Sequence, residues 1–466
     1  MSVMDTVMNQ TRLAAVRDLR ATLQGKVVVR GDDDYAATEK ALNRAVTNEP
    51  AFFAMCETAK DVKEAVSTAR IYDLPLSVRV AGHDWTGRSL CHDNLVLDLS
   101  AMRRVRIDAA AQIATVEGGA TVRDVVEAAD PYGLVPVAGT VGSVGMVGFT
   151  LGGGYGPLIG KYGLALDNLV SAEIVLVNGQ MVTANAWENP DLFWALRGGG
   201  GNFGVVTSMQ IRLHHVEQIL AGLILFPWSQ AESVFRGYAE LIKSAPEELS
   251  LIAGVFPGPE GAPAALLAPA WCGEQKQGDE IIASLKSLGT PLLAHIAPIS
   301  YTDMLNMYDV HMVNGHHYAV QTRRLPMLNN ENISTFIAAG NNRTSPLSLI
   351  RWHHFHGFPT RVPADQTAFG LRREHFMVEI LSAWEPREDE GENIHREWAR
   401  MVSQMLSRYA LPGGNPNMPW LDEREQIAFA YGSNLARLQN VKQHFDPDDA
   451  FSSAVLLQAP ELRSHA

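Results

Sequence analysis

The chain is 466 residues long and 46% hydrophobic, enough to fill the cores of two or three domains. Its formal net charge is -13 and its 38 Lys and Arg are scattered without a run of five or six, so no nucleic-acid partner is expected. The three cysteines, Cys56, Cys91 and Cys272, are odd in number and far apart, which argues against a disulfide framework or a zinc site and for a reducing cytoplasm.

Residues 1–24 alternate polar and apolar side chains at helical spacing and lack the apolar core and small-residue cleavage site of a secretion signal. Nowhere do eighteen apolar residues run together, so no membrane span is expected. From about Phe52 to Leu213, short β-branched runs alternate with helical ones, the pattern of a mixed α/β region. Val62, Ala65, Val66 and Ala69 recur at helical intervals and predict a helix over 61–72 with Asp61 as its cap. Strands are predicted at 76–80, 95–99, 112–117, 171–177 and 203–213, and a second helix at 121–130 with Thr121 as its cap.

Two stretches stand out. Arg79-Val80-Ala81-Gly82-His83-Asp84 closes a strand with small residues whose amides could face a pyrophosphate, with Arg79 adding charge; the alternative is a tight turn around a structural histidine. Residues 139–156 are dense in glycine, which costs backbone entropy and points to positive φ or to a ligand pressed against the main chain. A third, 192–207, carries Gly198-Gly199-Gly200-Gly201 before a strand. None of these glycines opens a helix directly after a strand with an acidic residue about twenty positions on, so a Rossmann NAD site is rejected. Beyond Leu213 the apolar runs 220–226 and 251–255 alternate with longer helical segments, as in a separate α+β domain. The Pro/Gly/Asn-rich residues 411–419 are expected to form a surface loop, followed by a helix over 433–445.

The blocks 79–89, 139–156 and 192–207, in that order and spacing, resemble the FAD-binding domain of the vanillyl-alcohol oxidase superfamily. The likeness is greatest to the berberine bridge enzyme-like flavin oxidases, which include the bacterial 6-hydroxynicotine oxidase type. It runs from about Gly31 to Phe451 and takes in Thr367-Ala368-Phe369, Trp384-Glu385 and the segment 431–438. The resemblance implies an α+β fold: a two-part PCMH-type FAD-binding domain, 1–213 with a returning segment 420–466, around a separate α+β substrate domain, 214–419, whose antiparallel sheet is covered by helices.

It further implies FAD joined through its 8α carbon to a ring nitrogen of His83, a sound assignment because neutral imidazole is a good nucleophile near neutral pH. From the first block Arg79, Val80, Ala81, Gly82, Asp84 and Ser89 would join His83 around the cofactor. Gly139, Thr140, Gly142, Ser143, Gly145 and Met146 would follow, with Gly148, Phe149, Gly153, Gly154 and Tyr155. Gly204 and Val206 would complete the site, with Asn434 beside the ring. Val141 stands where some relatives carry a second, cysteinyl link, so a single link is expected. Ala81 replaces the first glycine of the family's pair, and the tail after Phe451 departs from the family's Asn- or Gln-containing segment.

The fold resemblance does not supply the proton acceptor, and candidates for it lie in the second domain. Alternation along 351–356 puts His354 and His356 on one face and His353 and Phe355 on the other. His354 and His356 are taken as candidates, with His311, His316 and His317 nearby; proton transfer, substrate binding and a structural role all remain open. Metal binding is disfavoured, since no cysteines or paired carboxylates stand at ligand spacing. Glu379, in an apolar strand-like run, would serve as a base if burial raised its pKa, and would otherwise be a solvent-facing carboxylate. Glu385, Arg387, Glu388, Asp389 and Glu390 are expected in a solvated turn. Tyr431 is a ring-side candidate, and Met146 would narrow the path of oxygen. The expected function is oxidation of a small organic alcohol, amine or secondary-metabolite intermediate by hydride transfer to flavin N5, with molecular oxygen as acceptor and a homodimer allowed for. The alternatives are a carbohydrate oxidase using Trp228, Trp271, Trp352 or Trp384 for stacking, a dehydrogenase with another acceptor, and a flavin-binding protein without turnover.

Overall fold

The computed structural model describes residues 3–309, 315–386, 393–418, 426, 429–452 and 457. His311, Pro419, residues 387–390 and most of the tail after Ser452 therefore lie outside the described residues. Three sheets organise the chain. The first has the order Lys26–Val29, Phe52–Met55, Leu95–Asp98, Leu76–Arg79, antiparallel at its first pair and parallel beyond it. The second is antiparallel, running Val105–Asp108, Ile113–Glu117, Val205–His215, Leu169–Val175, Met181–Ala184, with Leu134–Pro136 also paired to Val205–His215. The third has seven antiparallel strands in the order Leu293–Ile299, Ile219–Pro227, Pro263–Trp271, Leu249–Pro257, Leu349–Phe355, His375–Trp384, His317–Leu325.

Local sequence explains the elements that matter for the site. The first predicted helix is observed as Ala59–Ile71, but its cap is Thr58, whose side chain accepts from the Asp61 amide. Asp61 instead closes the capping box and also accepts from the Gln24 amide at 2.8 Å, so it ties the N-terminal helix Val3–Thr22 to this one. Val62, Ala65, Val66 and Ala69 pack on Leu95 and Leu97 of the first sheet. The helix Val122–Ala129 is capped by Thr121 and Asp124 in the same way. In the seven-stranded sheet, Ile350, Trp352, Val378 and Ile380 face the helices Ala231–Leu241, Asn330–Asn341 and Asn393–Ser407 and form one apolar core with them. The neighbouring positions 349, 351, 353, 379 and 381 present their side chains to the opposite face, toward the glycine-rich loops.

Residues 411–418 are not a surface loop: Gly413, Gly414, Asn415 and Pro416 are buried. Arg324 reaches the Pro412 and Gly413 carbonyls, while Thr322 Oγ1 accepts from the Asn415 amide. These bonds satisfy the polar backbone that glycine and asparagine would ordinarily leave to water.

One buried ion pair fastens distant parts of the chain. Arg372 donates through both terminal nitrogens to the Asp167 carboxylate at 2.8 Å each, with side-chain exposures of 4% and 6%. Arg372 also donates to Thr367 Oγ1 and to the Phe369 carbonyl. Removing one partner of such a pair leaves the other charge buried and uncompensated. Arg372→Ala is expected to lower stability by about 3–5 kcal/mol in denaturant unfolding; a loss within the error of the titration would show that the pair is dispensable.

Candidate active site

Between the two smaller sheets and the open face of the seven-stranded sheet runs one continuous cavity of about 560 Å³. One end is lined by Val80, Ala81, Gly82, His83, Asp84 and Ser89 from the turn after Leu76–Arg79. Facing them are Gly139, Thr140, Val141, Gly145, Gly148 and Phe149. Tyr155, Gly200, Gly201, Gly204 and Val206 complete this half.

Two of the glycines test whether an extended, flat group fits here. A Cβ built on Gly148 or on Gly201 meets no protein atom within 4 Å, yet both residues line the cavity. Protein packing does not account for the missing side chains at these two positions; the space they leave belongs to the cavity. Other glycines of the stretch have a different cause, since a Cβ on Gly142, Gly145, Gly154 or Gly156 would meet protein atoms at 1.9–2.8 Å. Gly82, His83 and Asp84 line the cavity, and among the described residues their backbone amides donate to no protein acceptor. The carboxylate of Asp84 would repel a pyrophosphate if it were free, but Arg88 donates to it and so do the Thr86 and Arg88 amides. Although burial works against the charge, these partners hold the Asp84 carboxyl below its ordinary range. The donor set and the open glycines fit FAD.

His83 lines the cavity with its Nε2 2.8 Å from Ser143 Oγ. Burial pushes its pKa down to about 4, against a smaller opposing influence from Asp309, so the ring is neutral near pH 7. The helix Tyr301–Asp309 fixes the facing loop. Tyr301 donates to the Ala138 carbonyl at 2.5 Å, and Asp309 accepts from the Gly142 amide at 2.7 Å and from Arg123 at 2.8 Å.

The other end of the cavity is walled by Leu223, Leu225, Ile252, Phe256, Leu266 and Leu381. Polar groups are few: Ser250, Tyr308, Arg351, His353 and Glu379, with Asn415 and Asn417 at the junction of the two halves. Arg351 and Glu379 are directly opposite each other across two strands and form an ion pair. Burial raises the pKa of Glu379, but Arg351 and then His353 outweigh it, and the net direction is downward. The expectation of a raised pKa is therefore corrected, because an arginine opposite outweighs desolvation. His353 Nε2 lies 3.9 Å from Glu379 Oε2 and has no hydrogen-bond partner among the described residues. Burial pushes this histidine down to about 4.

Several residues singled out from sequence lie elsewhere. His354 and His356 are behind the sheet: they stack at 4.2 Å, His354 contacts Glu374, and His356 contacts the Pro246 carbonyl. Strand alternation that separates them from His353 also turns them away from the cavity. Arg79 is buried against Asp98, the Thr38 carbonyl and the Phe53 ring, so it anchors the strand and does not line the cavity. Asn434 donates to the Ala364 and Thr367 carbonyls and holds that loop. Tyr431 is buried in the core, its hydroxyl without a partner among the described residues. Met146 points into the same core and does not line the cavity. Gly142, Ser143, Gly153 and Gly154 stand behind the lining, Ser143 acting on His83 and Gly142 on Asp309. Trp271 and Trp352 fill the helix-side core, Trp384 stacks on His395, and Trp228 bonds Asn341, so none of the four offers a stacking platform in the cavity. None of the three cysteines lines it.

Sequence reasoning missed Arg351, Tyr308, Asn415 and Asn417 and placed His353 on the wrong side of the choice. Leu349, Arg351 and His353 alternate along one strand, and two polar residues at i and i+2 amid apolar neighbours were the available signal.

Comparison with known proteins agrees with the geometry. A family described as FAD binding domain matches residues 50–185, and one described as berberine and berberine like matches 417–454. The (R)-6-hydroxynicotine oxidase of Paenarthrobacter nicotinovorans is 29% identical over 452 residues, 92% of this chain and 96% of that protein. The crystal structure of 6-hydroxy-D-nicotine oxidase from Arthrobacter nicotinovorans superposes with a TM-score of 0.86 at 27% identity, over 94% of this chain and 98% of the other. The glucooligosaccharide oxidase of Acremonium strictum, which holds a 6-S-cysteinyl, 8α-N1-histidyl FAD, shares the fold with a TM-score of 0.82 at 23% identity, over 95% and 100% of the two chains. Among the described residues no helix is long and apolar enough to cross a membrane.

The buried histidines make stability depend on pH. Burial pushes His353 and His354 down to about 4 and His375 to about 3 from an ordinary value of 6.5. The unfolded chain therefore binds protons that the folded one refuses. Their stabilising effect is complete above pH 6.5 and declines as the pH falls toward 4, by up to about 1.4 kcal/mol per pH unit for each group. Denaturant midpoints are expected to fall steeply between pH 6.5 and 4.5; a flat profile there would contradict the neutral, buried state of these rings.

Proposed function

We propose that the chain is a berberine bridge enzyme-like FAD-linked oxidoreductase and that it oxidises a small, uncharged, largely apolar alcohol or amine. The observation that carries this reading is the single cavity leading from the glycine loops and His83 to the cluster Arg351, His353 and Glu379. FAD, when bound, supplies the hydride acceptor at N5 and returns the electrons to molecular oxygen as peroxide.

The chain's own residues do the rest. The loops around Gly82, Gly148 and Gly201 hold the cofactor by main chain, and His83 carries it covalently. Val141, a cavity-lining residue without a thiol, leaves no second attachment of the kind the glucooligosaccharide oxidase has. Apolar walls from Leu223 to Leu381 exclude water and bind a hydrocarbon skeleton. His353 Nε2, neutral and unpartnered, takes the proton from the substrate hydroxyl or amine. Glu379 then faces the imidazolium, and Arg351 keeps that carboxylate ionised. Because Arg351 and Glu379 neutralise each other, the chamber offers no net charge to an ionic substrate. The absence of Trp228, Trp271, Trp352 and Trp384 from the cavity weighs against a carbohydrate substrate.

A panel of uncharged alcohols and amines, scored in parallel for flavin bleaching, peroxide and dye reduction, tests the reading. His353→Ala is expected to lower kcat/KM on the best substrate by about 10²–10⁴ while flavin content is unchanged. Unimpaired turnover in His353→Ala, or bleaching by sugars alone, would overturn it.

A further inference from the structure

Resting on the reading that His83 carries FAD, we propose that Ser143 is a positioning residue for the attachment itself: its hydroxyl fixes the proton of His83 on Nε2 and so leaves the Nδ1 lone pair as the nucleophile. The two residues are sixty positions apart and meet through the facing loops, with Nε2 2.8 Å from Oγ. Among the described residues this is the only hydrogen bond to the His83 ring, and Nδ1 takes none. In a neutral imidazole one nitrogen donates and the other keeps its lone pair, so whatever holds the proton selects the atom that attacks.

The hydroxyl does not stand there by chance of a rotating loop. The residue before it, Gly142, is held by Asp309 at its amide, and a Cβ at that position would come within 2.8 Å of Asp309 Oδ2 and 3.0 Å of Arg123 Nε. Asp309 itself is held by Arg123. Tyr301, on the same helix as Asp309, grips the loop a few residues earlier through the Ala138 and Gly139 carbonyls. The substrate-side helix therefore sets the place of Ser143, and Ser143 sets the state of His83. The low pKa of the ring agrees with a neutral nucleophile, and the charge of Asp309 favours the cation that develops on attack.

The step balances as follows. A bond forms between Nδ1 and the 8α carbon, one C–H of that methyl group breaks with its electron pair left on the flavin and its proton lost to solvent, and Nε2 gives up its own proton through Ser143 to solvent. Two electrons enter the flavin ring, and molecular oxygen removes them together with two protons as hydrogen peroxide. Ser143 is exposed, so its replacement does not disturb packing.

The experiment follows attachment rather than turnover. Wild type, Ser143→Ala and Ser143→Thr are produced with low riboflavin, loaded with FAD under air, and sampled over time for acid-stable flavin; the flavinylated peptide is then analysed by NMR for the substituted nitrogen. Attachment in Ser143→Ala is expected to be about tenfold slower, the loss of about one hydrogen bond, with FAD still bound noncovalently. Ser143→Thr is expected to restore the rate, and the wild-type link to be on Nδ1. Wild-type kinetics in Ser143→Ala, no rescue by threonine, or a link on Nε2 would overturn the proposal. If wild type itself shows no flavin on the His83 peptide, the reading beneath it fails instead.

Discussion

Everything at the cofactor end depends on a loop with almost no side chains being held rigid by someone else's. Residues 138–145 lack the bulk to fix themselves, and glycine makes them costly to order. Tyr301 and Asp309 supply the constraint from the helix Tyr301–Asp309, and Arg123 completes it from the helix Val122–Ala129. The loop is thereby clamped by two helices, distant in sequence, that pack on one another. His83 inherits its orientation from that clamp through Ser143.

A second constraint governs the substrate end. A seven-stranded antiparallel sheet offers two faces, and period-two alternation gives one to the helix-covered core and the other to the cavity. Charges on the cavity face must be compensated where they stand. Arg351 and Glu379 do this by direct cross-strand pairing, which leaves His353 beside them with an open nitrogen. The cavity can hold polar chemistry in apolar walls because these two charges cancel.

The sequence was most legible where a local rule decided the outcome. Thr121 and Asp124 announce a helix start, and the strands around Leu76 and Leu95 stand within a residue or two of where alternation and β-branching place them. His83 and the glycine loops were legible through family pattern. Glycine density itself misled in one respect, since Gly142, Gly145, Gly154 and Gly156 are small because protein presses on them, whereas at Gly148 and Gly201 the space a side chain would fill belongs to the cavity. What failed needed a partner far away in the chain. Asp61 reads as a cap because aspartate and threonine both suit that position, and the reciprocal bonds that make Thr58 the cap and Asp61 its partner show only in the folded chain. Arg79 looked like an anion ligand because Asp98 could not be seen opposite it. Residues 411–418 have the composition of an exposed loop, and the Arg324 and Thr322 side chains help to make their burial tolerable. The choice between His353 and His354 required knowing which face of the strand the helices cover.

The central claim is that a flavin lies along the bare loops and is bonded to the imidazole of residue 83. Mass spectrometry of the proteolytic peptide containing His83, from protein produced with riboflavin in excess, tests it most directly. The account predicts a peptide heavier by one FAD moiety, with the modification on His83 and none on Cys56, Cys91 or Cys272. An unmodified His83 peptide from yellow protein, or colourless protein that takes up no FAD, would contradict it.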